Sequence, residues 1–270
     1  MQKITSRDNQ KLKFARKVRE GREKDFLFVE GVRLAEEFLK SGLQIFDCFF
    51  TTDFLTPERN QNLFKQISEK NQNLFEMPER LFKSLSDTKN SQGIILIGEK
   101  PRTGNEKINL ESSACRQFPF IVLLHEINNP NNLGAVLRTA EAAGAANVII
   151  SKHSTDVFSP KALRSAMGAS FRLNFWTDAD FETVLNWAKE NNLTTVCADI
   201  SSKKNVWEID WKKPRVIIFG SEAHGLSEQE RNRIDESLSI PMEKPVESLN
   251  LAVSCAVVLY EAKRNFFQRQ

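Results

Sequence analysis

The chain has 270 residues, 40% of them hydrophobic and 27% charged, with 38 lysines and arginines against 35 acidic side chains. That balance belongs to globular proteins and excludes disordered, collagen-like and coiled-coil classes; at roughly 100–200 residues per domain, it implies two domains. The longest apolar run, Cys255 to Tyr260, spans six residues, far short of the ~20 that a membrane-spanning helix needs. Four scattered cysteines and three histidines show neither a C-x-x-C pair nor metal-ligand spacing, and the opening MQKITSRDNQ lacks the apolar stretch of a signal peptide. The expectation is a cytoplasmic chain with reduced thiols, no membrane and no metal.

Charge is unevenly spread. Residues 1–25 hold nine basic and four acidic side chains, a local +5, while the remaining 245 residues sum to −2. A cluster containing Lys11, Lys13, Arg16, Lys17 and Arg22 suits attraction to a polyanion, because phosphate contacts dominate nucleic-acid affinity. A solvated helix that aids solubility would carry the same charges.

Residues 26–98 read as a small α/β unit. FLFVEG and IFDCFFTT are strands flanking VRLAEEFLKSG, whose Val32, Leu34, Ala35, Phe38 and Leu39 fall at helical spacing before Gly42. NQNLFKQIS reads as a helix, NLFEM as extended, PERLFKSLSDT as a helix and QGIILIGE as a closing strand. Alternation of this kind predicts a mainly parallel sheet. The polar stretch at 99–117, rich in turn residues, reads as a linker.

A second alternation runs from 118 to 270. The strands are FPFIVLLHE, ANVIIS, RLNFWT, TTVCADI, RVIIFG and LSIPM. Between them LGAVLRTAEAAG, SPKALRSAMGAS, FETVLNWAKENN and EQERNRIDE read as helices, and ESLNLAVSCAVVLYEAKRNFF as the last one.

Ligands of open α/β sheets bind beyond the carboxyl ends of the strands. Three strand ends here run into long loops of Gly, Pro, Asn and acidic residues: HEINNPNNLG, GSEAHG and PMEKPVESLN. None carries a familiar hydrolase or nucleotide signature. Gly220 and Gly225 have P-loop spacing, but Leu226 stands where lysine is required; G-x-G-x-x-G is absent, and no G-x-S-x-G surrounds Ser221. Asn132 precedes Leu133 as an N-cap, and Arg138 flanks the apolar stripe Leu133, Val136, Leu137, Ala140, Ala143, either facing solvent or reaching back to the loop. In the last helix only Asn250 and Ser254 are polar between Leu249 and Tyr260, so that helix is expected to be covered on all sides, by its own domain or by a second subunit. Asn250 then needs a partner, from a neighbouring backbone or from a ligand.

These segments, NPNNLGAVLRTAEAAG (129–144), IIFGSEAHGLS (217–227) and IPMEKPVESLNLAVSCAVVLYE (240–261), resemble the three signature motifs of the SpoU (TrmH-type) RNA ribose 2′-O-methyltransferases of the SPOUT superfamily. Ala223 stands where many members have glycine. FVEGVRLAEEFLKSG and LSDTKNSQGIIL resemble the ribosomal-protein-like RNA-binding domain that precedes many members.

The resemblance implies an α/β fold in which a C-terminal parallel-sheet domain with a trefoil knot, 118–270, follows an RNA substrate-binding domain, 1–98. It also implies a homodimer, S-adenosylmethionine as cofactor, and transfer of its methyl group to a ribose 2′-hydroxyl of ribosomal or transfer RNA, ribosomal favoured. Gly220, Ile240 and Leu249 match cofactor-contacting positions; Asn132, Arg138, Glu222, Ser248 and Asn250 match the polar active-site set. Two other readings stand beside it: a catalytically silent RNA-binding factor of the same fold, and a small-molecule α/β enzyme with no use for the basic first 25 residues.

Overall fold

The computed structural model describes residues 1–267. In chain order it holds β1 (Gln2–Lys3), α1 (Gln10–Arg19), β2 (Phe26–Glu30), α2 (Val32–Ser41), β3 (Ile45–Phe50), α3 (Glu58–Lys70), β4 (Leu74–Glu76), α4 (Glu79–Leu85) and β5 (Ile94–Glu99). There follow α5 (Ser113–Gln117), β6 (Phe120–Leu124), α6 (Pro130–Ala143), β7 (Asn147–Ser151), α7 (Pro160–Ala166), β8 (Asn174–Ala179) and α8 (Phe181–Glu190). Last come β9 (Thr194–Ala198), β10 (Arg215–Phe219), α9 (Glu228–Arg231), β11 (Glu236–Leu238) and α10 (Leu251–Phe267). No described helix is long and apolar enough to cross a membrane.

The chain divides into two compact units, one of Met1–Pro101 with Val157–Phe171, the other of Arg102–Asp156 with the chain from Arg172 onward. In the first unit the sheet order is β1-β4-β3-β5-β2. The sheet is mixed, not mainly parallel: β5 lies antiparallel between β2 and β3. Periodicity identifies a strand but carries no information on its direction, and β5 fills the gap left by the β2–α2–β3 crossover. Leu12, Ala15 and Val18 of α1 bury one helical stripe against Phe28, Phe49, Phe75, Ile95 and Ile97 of this sheet.

Segment 157–171 leaves the second unit after β7 and joins the first through Phe171, whose ring meets that of Phe38, and through Arg164. Arg164 lies against a polar cluster centred on Glu30, which is only 3% exposed. The Glu30 carboxylate accepts from the Ser86 hydroxyl, from Thr88 Oγ1 at 2.7 Å and from the Asp87 amide at 2.8 Å. Arg164 Nη1 stands 3.9 Å from Glu30, and its Nη2 donates to Asp87 at 2.7 Å.

The second unit is an all-parallel sheet, β11-β9-β10-β6-β7-β8, and its continuous apolar strands are those of a sheet covered on both faces. Ile121, Leu123, Val216 and Ile218 pack on Val184, Leu185 and Ala188 of α8. Phe120, of opposite parity on β6, meets Phe266 of α10, and α10 packs on α6.

Five local expectations differ from the structure. Helix α6 begins at Pro130, because Asn129 Oδ1 accepts from the Asn131 amide; Asn129 is therefore the N-cap and Asn132 lies in the first turn. The helix expected over 228–236 stops at Arg231, since Asp235 is drawn to the amide and hydroxyl of Thr195 and the next residues enter β11. The last strand accordingly covers Glu236–Leu238, ahead of its expected place. Helix α10 starts at Leu251, with Asn250 Oδ1 accepting from the Ala252 amide, so 247–250 is loop. The stretch 99–117, expected as a linker, also carries structure: Gly104 N bonds Phe175 O, and Ile108 is buried in the core of the second unit.

Two measurements test this packing. Glu30→Ala leaves several partly buried donors and the Arg164 guanidinium without the carboxylate they face and should lower stability by about 2 kcal/mol in urea unfolding. All four cysteines are buried, and burial raises the thiol pKa of each. Ellman's reagent at about pH 8 should therefore find no fast-reacting thiol in the native protein, and four after unfolding.

Candidate active site

The carboxyl ends of β9 and β10, Asn132 in the first turn of α6 and the segment around 247–254 surround a cavity of about 610 Å³. Its wall is closed by the turn after β10. Ser221 N and Gly225 O, and Gly225 N and Ser221 O, bond reciprocally at 3.2 and 2.9 Å, and Gly225 takes φ 63°. A Cβ at Gly220 would lie 2.5 Å from the Gly225 carbonyl carbon and 2.8 Å from the Leu226 nitrogen, both backbone atoms, so only glycine fits there.

Glu222 projects from this turn to the loop after β6. Its carboxylate accepts from the Asn128 and Asn129 amides at 3.2 and 3.3 Å and from Asn132 Nδ2 at 3.2 Å. Asn132 Oδ1 in turn accepts from Asn250 Nδ2 at 3.2 Å. Three residues from three distant parts of the sequence thus form one chain of hydrogen bonds along the cavity, which Ser248, Leu249 and Gly220 also line. Of the eight catalytic and cofactor positions expected from sequence, these six share the cavity. Ile240, half-buried, and Arg138, exposed on α6, are not among its lining residues.

The expected RNA-contacting side chains stand on or beside α1, and each has a partner inside its own unit. Lys11 Nζ lies 2.7 Å from the buried Asp47 carboxylate, and Arg16 donates to Arg7 O and Ser84 Oγ. Lys13, Lys17 and Arg22 pair with Asp8, Glu23 and Glu20 at 3.4, 3.9 and 3.1 Å; exposed pairs of that kind are weak and readily exchanged.

Sequence reasoning passed over the loop after β9, from which Asp199 and Ile200 line the cavity, with Asp199 bound to Arg231 at 3.2 Å. Its signal was position alone, at the carboxyl end of a strand beside β10. It also passed over His125, whose Nε2 lies 2.9 Å from Glu230 Oε1. Burial pushes the Glu230 carboxyl up, but hydrogen bonds from Ser227 and the adjacent His125 outweigh it and hold the group below the usual carboxylate value. Burial, reinforced by Asp199, pushes the Cys197 thiol up to about 11, so no thiolate nucleophile borders the cavity. Among the described residues no cluster of His, Cys, Asp and Glu is placed to hold a metal ion.

Residues 119–260 match the SpoU rRNA methylase family, and residues 9–96 match the MRM3-like substrate binding domain. A 23S rRNA (guanosine-2′-O-)-methyltransferase of Coxiella burnetii is 31% identical over 67% of this chain and 72% of its own. A crystal structure of an RNA 2′-O ribose methyltransferase, 29% identical, superposes with a TM-score of 0.81 over 97% of this chain and 98% of that one. An AdoMet-bound rRNA methyltransferase from Sinorhizobium meliloti, 24% identical, shares the fold with a TM-score of 0.84 over 98% of each chain. The chain belongs to the SpoU rRNA methylase family.

Proposed function

We propose that this protein transfers a methyl group from S-adenosylmethionine to a ribose 2′-hydroxyl of structured RNA, ribosomal rather than transfer RNA, acting as a cytoplasmic homodimer. The observation that carries the reading is the Glu222–Asn132–Asn250 chain, which joins the turn after β10, the first turn of α6 and the residue before α10 around a cavity that Gly220 also lines. The residues present fit such a cofactor. The backbone-lined turn 220–226 can close on a flat ligand, and the carboxylates of Asp199, Glu222 and Glu247 outnumber the single guanidinium of Arg231 along the lining, which favours a cationic sulfonium. S-adenosylmethionine supplies an electrophilic methyl carbon; Gly220 and Leu249, which line the cavity, are proposed to hold it. A substrate-binding domain ahead of the methylase region, and relatives named for ribosomal RNA, favour that substrate.

A ribose hydroxyl is a weak nucleophile, so the protein's part is to align it and to stabilise charge as it develops. Glu222 accepts from two amides and a carboxamide, and its role is to fix Asn132. Asn132, Ser248 and Asn250 then orient the ribose. A guanidinium stays protonated near neutral pH; exposed Arg138 clamps the phosphate beside the target sugar and stabilises alkoxide character while the proton leaves to phosphate or water. Homodimerisation is supported by α10, where Val253, Tyr260 and Phe267 are 48, 49 and 43% exposed at seven-residue spacing, an apolar row of the kind that seeks a partner. The trefoil knot is supported by the path of 239–250, from edge strand β11 past the turn 220–226 to α10 on α6.

Arg138→Ala should lower methylation of ribosomal RNA by at least about 100-fold while calorimetric affinity for S-adenosylmethionine is kept; normal turnover by that variant would remove Arg138 from the chemistry. Gly220→Ala should abolish cofactor binding in a folded protein. A wild-type chain that binds RNA and no S-adenosylmethionine would instead be a silent RNA-binding factor. Lys13→Glu with Lys17→Glu should weaken RNA binding and reduce the slope of log K against log salt by roughly one per lost phosphate contact.

A further inference from the structure

His125 is the first residue beyond β6, and it bonds to the chain on both sides of the cofactor turn. Its backbone N donates to Phe219 O at 2.9 Å, immediately before Gly220. Its ring Nε2 lies 2.9 Å from Glu230 Oε1, beyond the end of the turn. The cavity-lining stretch Gly220–Leu226 lies between those two points. Helix α9, which follows the turn, has four residues and is too short to hold itself together. Its start is held by the other oxygen of Glu230, which accepts from the Ser227 amide and hydroxyl, both at 2.7 Å. Glu230 therefore anchors α9 with one oxygen and faces the β6 strand end with the other.

We propose that His125 and Glu230 are positioning residues that close the turn 220–229 into a ring and thereby shape the cofactor cavity before ligand arrives. The inference rests on the reading that S-adenosylmethionine is held by that turn. His125 is 6% exposed, with its ring centroid 4.5 Å from that of Phe181 on α8, so the imidazole is held in place by packing as well as by its bond. Among the described residues Nδ1 has no hydrogen-bond partner. The pair is consequently satisfied with the proton on Nε2, donating to Glu230; the other tautomer would set a lone pair against the carboxylate and bury an unpaired N–H. Preorganisation of this kind raises affinity by removing the ordering that binding would otherwise require.

The test compares His125→Leu, which keeps bulk against Phe181 without the donor, with His125→Gln, whose amide restores an N–H directed at Glu230. In the free protein, amide hydrogen exchange across 221–229 should accelerate in His125→Leu while β6 and β10 stay protected, and His125→Gln should restore protection. The dissociation constant for S-adenosylmethionine should rise about tenfold in His125→Leu and stay within about threefold of wild type in His125→Gln, with KM for RNA unchanged in both. Wild-type exchange and affinity in His125→Leu would overturn the proposal, as would a loss that glutamine fails to rescue. Should His125→Leu not fold, Glu230→Ala decides, because it removes the acceptor of both His125 and Ser227; unchanged exchange there also overturns it. Failure of the wild-type protein to bind S-adenosylmethionine would sink the assigned activity, while the exchange data would still decide the ring.

Discussion

One carboxylate organises the candidate site. Glu222 comes from the turn after β10, yet two of its hydrogen bonds run to backbone amides of the loop after β6 and a third to Asn132, which passes the connection to Asn250 at the start of α10. Amides at a helix start are unsatisfied within the helix and carry the positive end of its dipole, so an acidic side chain is well matched to the beginning of α6. The bond geometry therefore ties cavity shape to the parallel sheet beneath. Strands β6 and β10 are neighbours in register, Leu124 beside Phe219, and this pairing brings the two loops within reach of each other.

A division of labour follows. Glu222, Asn132 and Asn250 along the cavity are bonded to one another and suited to holding shape, whereas Arg138 stands exposed on α6, where a large polyanion can reach it. The aromatic and aliphatic row on α10 is separate again: Cys255, Val258, Leu259 and Ala262 face the core, while Val253, Tyr260 and Phe267 do not. The sequence pattern calls for cover on all sides of α10, and among the described residues one face, Cys255, Val258, Leu259 and Ala262, is buried.

Much of this was legible beforehand. Strand cores such as Phe120–Leu124 and Arg215–Phe219 follow from unbroken apolar runs between turn residues, and the three loops were identifiable by length and composition at strand ends. What escaped had physical reasons. Strand direction in the first sheet depends on which gap β5 fills, and no local pattern records that. The early stop of α9 depends on Thr195, forty residues away, which captures Asp235. Asn129 and Asn132 are both good caps by type; Pro130, favoured at the first helical position, was the available clue to the true start. His125 looked like an isolated histidine because its partner lies 105 residues further along the chain.

The excursion of Val157–Phe171 into the first unit bears on how this architecture can be inherited. A gene fragment encoding only the first hundred residues would produce a sheet lacking Phe171 against Phe38 and lacking the guanidinium beside Glu30. Recombination at the seam between the units would thus deliver an incomplete module to any new host. The two compact units are interleaved along the polypeptide, and lineages that keep these contacts would have to exchange the two as a set.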